Sequence, residues 1–214
     1  MAALSRLQTS EKSSSRLGYY CAEKESAQGV SPELAGGPII ASIVSNEAFD
    51  AALAAPTRML YLLIGNPLTL PGLLKRAQDH GKTCIANLDF LEGLARDRSA
   101  VEFLAAHGAA GIVSTHVETL KAAKAMGLKT VQRTFAIDNA AVKTIEKSLA
   151  WFVPDAVEVL PAMVAPRIGR RLRKVQAELT IVGGGLIENV KEIEDILAAG
   201  VNAVTTSNPR LWMI

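Results

Sequence analysis

The sequence predicts an α/β protein built as a compact, single-domain (β/α)8 TIM-type barrel. From Pro38 onward, short apolar or β-branched runs alternate with longer segments of helical periodicity, which is typical of βα units. One run, MLYLLI at 59–64, is apolar throughout, as expected of a parallel strand that helices cover on both faces. Eight such units favour a closed barrel, with an open doubly wound sheet as the alternative.

Each strand is predicted from a short apolar or β-branched run, and each helix from a longer segment of helical periodicity. In the last predicted helix, Asn189 can cap the N-terminus with Glu192 three residues on, and Gly200 suits the left-handed position after the C-terminus. The predicted strands cover 39–44, 59–64, 83–88, 111–115, 130–135, 156–160, 179–183 and 203–206. The predicted helices between them cover 47–54, 70–80, 99–107, 117–126, 139–149, 165–176 and 189–199.

Composition limits the classes of function. Hydrophobic residues make up 49% of the 214 residues and charged residues 21%, so the chain can bury one sizeable core. A net charge of +2 is too small to require nucleic acid or a membrane surface as a partner, so any basic site must be local. No apolar run approaches the ~20 residues of a membrane helix. We therefore expect no membrane association.

The chain is expected to divide into a flexible polar tail at 1–37 and a barrel domain at 38–214. The tail is rich in Ser, Gly, Gln and Lys, and an interaction arm is the alternative interpretation. Cys21 and Cys84 stand far apart, which argues against a disulfide framework or a cysteine metal site and favours a reducing cytoplasm. His116 has no second ligand at metal-binding spacing, so no metal is predicted.

The clearest candidate site is a phosphate-binding loop. In such barrels the functional face is formed by the segments that follow the strands, and the last two of these segments commonly bind phosphate. Gly183, Gly184 and Gly185 lie at the end of the seventh predicted strand, and Thr206 and Ser207 lie at the end of the eighth. Glycine lets the backbone approach an anion, and hydroxyls add donors. Alternatively, the glycines only form a tight turn. No nucleotide-binding glycine motif is present, so no cofactor is predicted.

Other polar residues lie at strand ends where apolar ones are expected. These candidate ligand-binding residues are Asp89, Ser114, Gln132, Arg133 and Glu158. Arg133 and Glu158 fall on adjacent strands and could instead satisfy each other as a buried ion pair. Asp89 and Glu158 could also act as acid and base, so a small phosphosugar isomerase or lyase is the alternative function. No predicted strand ends in a lysine, which weakens a Schiff-base aldolase.

The helix predicted at 165–176 carries a row of cations that we call the basic ridge. Its members are Arg167, Arg170, Arg171 and Lys174. Arg170 and Arg171 follow Arg167 by three and four residues, and Lys174 follows Arg171 by three, which puts the four cations on one face, beside an apolar stripe that would dock on the barrel. The ridge could bind nucleic-acid phosphates, or it could simply be a solvated helix face.

Several short motifs are spread along the predicted barrel. They are Gly81-Lys82, Leu88-Asp89, Glu92-Gly93-Leu94, GIVST at 111–115, VQR at 131–133, Pro154-Asp155, VEVLP at 157–161, VGGG at 182–185, VTTSN at 204–208 and Leu211-Trp212. In these motifs the chain, from Pro38 to its end, resembles the glycerol uptake operon antiterminator family, glycerol-3-phosphate-responsive regulators that bind messenger RNA. The chain departs from the family pattern at Asn87, His116 and Ala162, which replace a histidine, a basic residue and a glycine.

The resemblance implies a barrel with a truncated last helix, glycerol 3-phosphate as effector at the strand ends, and binding to the leader mRNA of a glycerol-utilisation operon without catalysis. The phosphate would then bind at the glycines and hydroxyls of the last two strands, with the glycerol hydroxyls near Asp89, Gln132, Arg133 or Glu158. The basic ridge would contact RNA. A homo-oligomer is left open.

Overall fold

The computed structural model describes residues 37–214 and confirms the (β/α)8 barrel. Eight strands pair in parallel with their chain neighbours, and the first also pairs with the last, which closes the sheet. The strands are β1 (Ile39–Ile43), β2 (Met59–Leu62), β3 (Thr83–Asn87), β4 (Gly111–Ser114), β5 (Lys129–Phe135), β6 (Ala156–Leu160), β7 (Thr180–Gly184) and β8 (Ala203–Thr206). The tail predicted at 1–37 lies outside the described residues except for Gly37.

Seven α-helices connect consecutive strands within the described residues. They are α1 (Asn46–Ala54), α2 (Leu70–Asp79), α3 (Arg98–Ala106), α4 (Val117–Ala125), α5 (Asn139–Leu149), α6 (Ala165–Leu172) and α7 (Val190–Ala198). Asn189 caps α7 by accepting a hydrogen bond from the Glu192 amide, as predicted. None of the helices at 37–214 is long and apolar enough to cross a membrane.

Helix α6 ends at Leu172 instead of at residue 176, where the sequence pattern placed its end. The chain tightens there into turns in which Lys174 N donates to Arg171 O. Arg173 holds this turn, because its guanidinium donates to Leu179 O (3.1 Å), Gly200 O (2.8 Å) and Asn202 Oδ1 (2.6 Å). These tertiary hydrogen bonds stop a helix that its local sequence would continue.

The strands separate two apolar layers. One fills the barrel interior and contains Ile40, Met59, Tyr61, Ile85, Val113, Val131, Ala156, Val182 and Ala203. The other lies between the strands and the helices and contains alternate strand residues such as Ala41, Leu60 and Val204. Because successive strand residues face opposite sides, position within a strand decides which polar side chains enter the barrel.

A 3₁₀ helix at Pro209–Trp212 follows β8 and packs on β1 and α1. Trp212 is only 1% exposed, and its Nε1 donates to Thr206 O at 2.9 Å. The indole therefore belongs to the layer outside the barrel and fixes the chain that leaves β8.

Candidate functional site

A buried ion pair lies toward the carboxyl ends of the strands, the end of the barrel that we call the mouth. Arg133 on β5 and Glu158 on β6 are register partners, and Arg133 Nε donates to Glu158 Oε2 at 2.6 Å. Their side chains are 6% and 0% exposed. Thr205 Oγ1 on β8 donates to the other carboxylate oxygen of Glu158 at 2.8 Å. The ion pair that the sequence left open is thus formed, and both of its charges lie inside the barrel.

Arg133 retains capacity for a further partner. Within residues 37–214 its hydrogen bond to Glu158 uses Nε, and no protein acceptor engages its two Nη atoms. The guanidinium carbon lies 5.5 Å from the ring centroid of Phe90, which follows β3 at the mouth and is half exposed. A guanidinium held in this way can present two parallel donors to a phosphate or a carboxylate.

Two of the three predicted glycines face opposite sides of β7. A Cβ on Gly184 would lie 2.5 Å from Thr205 Oγ1 and 2.8 Å from Glu158 Oε1, so the backbone here runs against the buried carboxylate. A Cβ on Gly183 would instead meet methyl carbons of Ala162, Ala165 and Ile196 on the helix side, at 3.3–3.5 Å. Gly185 turns the chain away with a φ of +76°, a conformation that favours glycine. Of the three glycines, Gly184 is the one whose missing side chain leaves space on the interior side of β7, next to the Glu158 carboxylate.

The hydroxyls of β8 and the loop after it are divided in the same way. Thr206 lies on the helix side of β8, where its Oγ1 accepts a hydrogen bond from Asn208 N at 3.2 Å. Ser207 is exposed in the loop beyond the strand. The hydroxyl that reaches the ion pair belongs to Thr205, which was not among the predicted site residues. Strand alternation from Ala203, an interior residue, is the signal that identifies Thr205.

Asp89 ties the loops after β3 and β4 together. It accepts hydrogen bonds from Ser114 Oγ and from Thr115 N, each at 2.7 Å, and it pairs with Arg96 at 3.3 Å and His116 at 3.5 Å. Burial alone would raise the pKa of Asp89, but these hydrogen bonds and the nearby imidazole outweigh it, so its pKa lies below the ordinary value. Asp89 and Ser114 therefore lie together at the rim of the mouth, where they are hydrogen-bonded to each other.

We expect Asp89→Asn to destabilise the protein by about 1–3 kcal/mol near neutral pH, because it weakens charge-assisted hydrogen bonds. A folded pKa below the unfolded value means that the carboxylate contributes stability above the unfolded pKa of about 3.9. That contribution is lost as the pH falls through the lower folded pKa. Urea unfolding of both proteins across the acid range measures this. A stability difference that stays constant down to the lowest pH would contradict the assignment.

The structure does not bring Gln132 to the mouth. Its side chain lies between β5 and α5, where Nε2 donates to Ser148 Oγ at 3.1 Å, and it is 5% exposed. Gln132 neighbours Arg133 in the chain and so faces the opposite side of the strand. Its polarity is explained by the buried partner Ser148 on the covering helix.

Two further interior residues were not singled out as ligand-binding by the sequence. Tyr61 on β2 and Asn87 at the end of β3 are both fully buried. Within residues 37–214, Tyr61 Oη and Asn87 Nδ2 are buried and have no hydrogen-bond partner. Burial raises the pKa of Tyr61 well above its ordinary value, and the negative charge of Glu158 raises it further. A tyrosine inside an apolar strand is ordinarily a core residue, so nothing in the sequence marked it.

The basic ridge forms one wall of a groove between α5 and α6, of about 480 Å³. Arg167, Arg170 and Lys174 are exposed. Arg171 is engaged by the neighbouring helix, since its Nε and Nη2 both donate to the carboxylate of Glu146. The structure therefore leaves Arg167, Arg170 and Lys174 exposed and outside this ion pair. Arg171 also joins α6 to α5 through Glu146.

Comparison with known proteins agrees with this architecture. A family model described as glycerol-3-phosphate responsive antiterminator matches residues 39–212. The chain is 30% identical over 178 residues to the uncharacterized protein YgcP of Escherichia coli K12, covering 83% of this chain and 92% of that protein.

Two solved structures are also similar. A glycerol uptake operon antiterminator-related protein from Thermotoga maritima MSB8 has 33% identity and a TM-score of 0.72, covering 82% of this chain and 98% of that one. The glycerol uptake operon antiterminator regulatory protein from Listeria monocytogenes 4b F2365 has 29% identity and a TM-score of 0.76, covering 81% and 94%. The aldolase QR15, at 14% identity and a TM-score of 0.62, shares the barrel fold alone. The resemblance predicted from the motifs is thus confirmed, and the chain belongs to the glycerol-3-phosphate responsive antiterminator family of regulatory proteins.

Proposed function

We propose that this protein binds glycerol 3-phosphate at the barrel mouth and, in response, binds the leader mRNA of a glycerol-utilisation operon so that transcription passes a terminator. The observation that carries the proposal is the Arg133–Glu158 pair, in which a guanidinium with unused donors binds one carboxylate oxygen while the other oxygen lies against the backbone of Gly184. Membership of the glycerol-3-phosphate responsive antiterminator family supports this choice of effector and of process.

The geometry of the mouth supports one position for the effector. The phosphate would lie at the rim formed by Gly184, Gly185 and Ser207, within the range of the Arg133 guanidinium. Amide donors, a hydroxyl and a guanidinium are the groups that bind a dianion of this size. The glycerol hydroxyls would then point toward Glu158 and Thr205. With the effector in this position, Asp89 does not contact it and contributes by holding the loops after β3 and β4 together.

Coupling to RNA would run through the segment that joins the mouth to α6. Ala162 N donates to Gly185 O at 3.2 Å, and Gly183 packs on Ala162 and on Ala165, the first residue of α6. A phosphate at the glycine loop would thus lie one contact away from α6, the helix that carries Arg167, Arg170 and Arg171 of the basic ridge. The effector shifts the equilibrium only if it binds the RNA-competent state more tightly.

The test measures leader-RNA affinity at fixed salt with and without glycerol 3-phosphate. We expect the effector to raise the affinity by about 5- to 150-fold, the range of typical allosteric coupling. We also expect the effector to be recovered chemically unchanged by NMR, because Asp89 and Glu158 are both held in hydrogen bonds by neighbouring groups. Equal RNA affinity in both conditions would overturn the proposal, and a new product would favour the isomerase or lyase.

A variant pair locates the RNA surface in the same assay. Arg167→Ala with Arg170→Ala should weaken RNA binding and lower the slope of log affinity against log salt by about 0.7–0.9 for each phosphate that the variant no longer neutralises. The matched control removes two exposed cations from α2 and α3, Lys75→Ala with Arg98→Ala. If RNA affinity fell equally in the two double variants, the net charge of the protein would determine the affinity and the position of the basic ridge would not.

A further inference from the structure

The floor of the mouth contains two polar groups that the protein leaves unsatisfied. Tyr61 and Asn87 are each 0% exposed, and Tyr61 Oη and Asn87 Nδ2 have no partner within residues 37–214. Buried polar groups in folded proteins are nearly always hydrogen-bonded, because leaving one unpaired costs free energy. Two such groups inside one barrel therefore call for a functional explanation.

Both residues face the barrel interior, as the ion pair does. Tyr61 packs in the interior layer, and its register partner on β3 is Ile85, another interior residue. Asn87 follows Ile85 by two residues on the same face of β3 and so lies one step nearer the mouth. Asn87 Oδ1 accepts from Asp89 N at 3.3 Å, which holds the amide in place and leaves its Nδ2 as the unused donor.

The chemistry of these groups fits neutral hydroxyls better than a phosphate. A phenol hydroxyl can donate and accept, and an amide NH₂ only donates. Neither carries charge, so neither can offset the cost of burying a phosphate at this depth. A hydroxyl of a ligand can accept from Asn87 Nδ2 and exchange a hydrogen bond with Tyr61 Oη.

We infer that Tyr61 and Asn87 bind the hydroxyl-bearing end of the effector, so that the polyol enters the barrel first and the phosphate stays at the rim. This inference rests on the proposed function and deepens it, since it makes the site selective for polyol phosphates over alkyl phosphates. The energetic penalty of the two unsatisfied groups is then relieved only when a hydroxylated ligand binds. Selectivity of this kind arises because an analogue that lacks the hydroxyls leaves buried polar atoms unpaired.

Tyr61→Phe tests the inference because it removes one oxygen atom and preserves the ring. Calorimetric binding of glycerol 3-phosphate and of propyl phosphate, which has the same carbon chain without the hydroxyls, is measured for wild type and variant. We expect the variant to bind glycerol 3-phosphate about 10-fold more weakly and propyl phosphate unchanged. In a second variant, Asn87→Leu, the affinity for glycerol 3-phosphate should fall by a larger factor than the affinity for propyl phosphate, because the lost hydrogen bond from Asp89 N affects both ligands alike.

The stability of the ligand-free protein provides an independent readout. Removing an unsatisfied buried hydroxyl should raise the thermal midpoint of Tyr61→Phe by about 2–4 °C, while the stabilisation by glycerol 3-phosphate shrinks. Equal weakening of both ligands, or no weakening of either, would overturn the inference while the proposed function stands. Wild-type protein that binds neither ligand would overturn the proposed function itself, and the inference with it.

Discussion

Replacing Arg133 with methionine should destabilise the barrel by about 3–5 kcal/mol and abolish binding of glycerol 3-phosphate. The variant leaves the fully buried carboxylate of Glu158 with Thr205 as its remaining hydrogen-bond partner. A buried charge without its counter-ion is among the most costly defects that a single substitution creates. Urea unfolding measures the decrease in stability, and calorimetry with glycerol 3-phosphate measures the change in binding.

The double variant Arg133→Met with Glu158→Leu separates folding from function. Replacing both charges of a buried pair by apolar groups is often neutral or stabilising, so we expect most of the stability to return. Ligand binding should not return, because the guanidinium is absent in both variants. Full affinity for glycerol 3-phosphate in the double variant would show that the pair is structural only, and an Arg133→Met variant as stable as wild type would contradict the burial argument.

The barrel could be predicted from the sequence because its pattern is repeated along the chain. Runs such as MLYLLI at 59–64 have no polar face, and only a strand covered on both sides accommodates them. Helix ends with strong local signals, such as Asn189 at the start of α7, were also predicted correctly. The end of α6 was not, since three hydrogen bonds from Arg173 to distant residues determine it.

The site was harder to predict, because a side chain's direction depends on register and on partners far away in the chain. Gln132 and Arg133 are adjacent, yet one contacts a helix and the other enters the barrel. Because Ala203 faces the barrel interior, alternation along β8 predicts that Thr205 faces it too and that Thr206 faces the helices. No local pattern could indicate that Glu146, on another helix, engages Arg171.

Gly184→Ala should lower the affinity for glycerol 3-phosphate by about 100-fold, equivalent to ~2.8 kcal/mol. The added methyl would lie 2.5 Å from Thr205 Oγ1 and 2.8 Å from Glu158 Oε1, distances that real contacts do not reach. Thr205 can rotate away, but Glu158 is held by Arg133, so the strand or the ion pair must shift. Either movement changes the surface against which the ligand binds. Calorimetric titration of the variant measures the effect.

Gly183→Ala is the matched control, because it adds the same methyl one residue earlier on the opposite face of β7. Its Cβ would contact Ala165, Ala162 and Ile196 at 3.3–3.5 Å, which requires a shift of a few tenths of an ångström among methyl groups. We expect a decrease in stability of about 1–3 kcal/mol from this overpacking, with ligand affinity retained. If both variants bound the ligand equally weakly, crowding of β7 in general would explain the effect. Weakening confined to Gly184→Ala means that the ligand lies against the interior face of the strand, beside the ion pair.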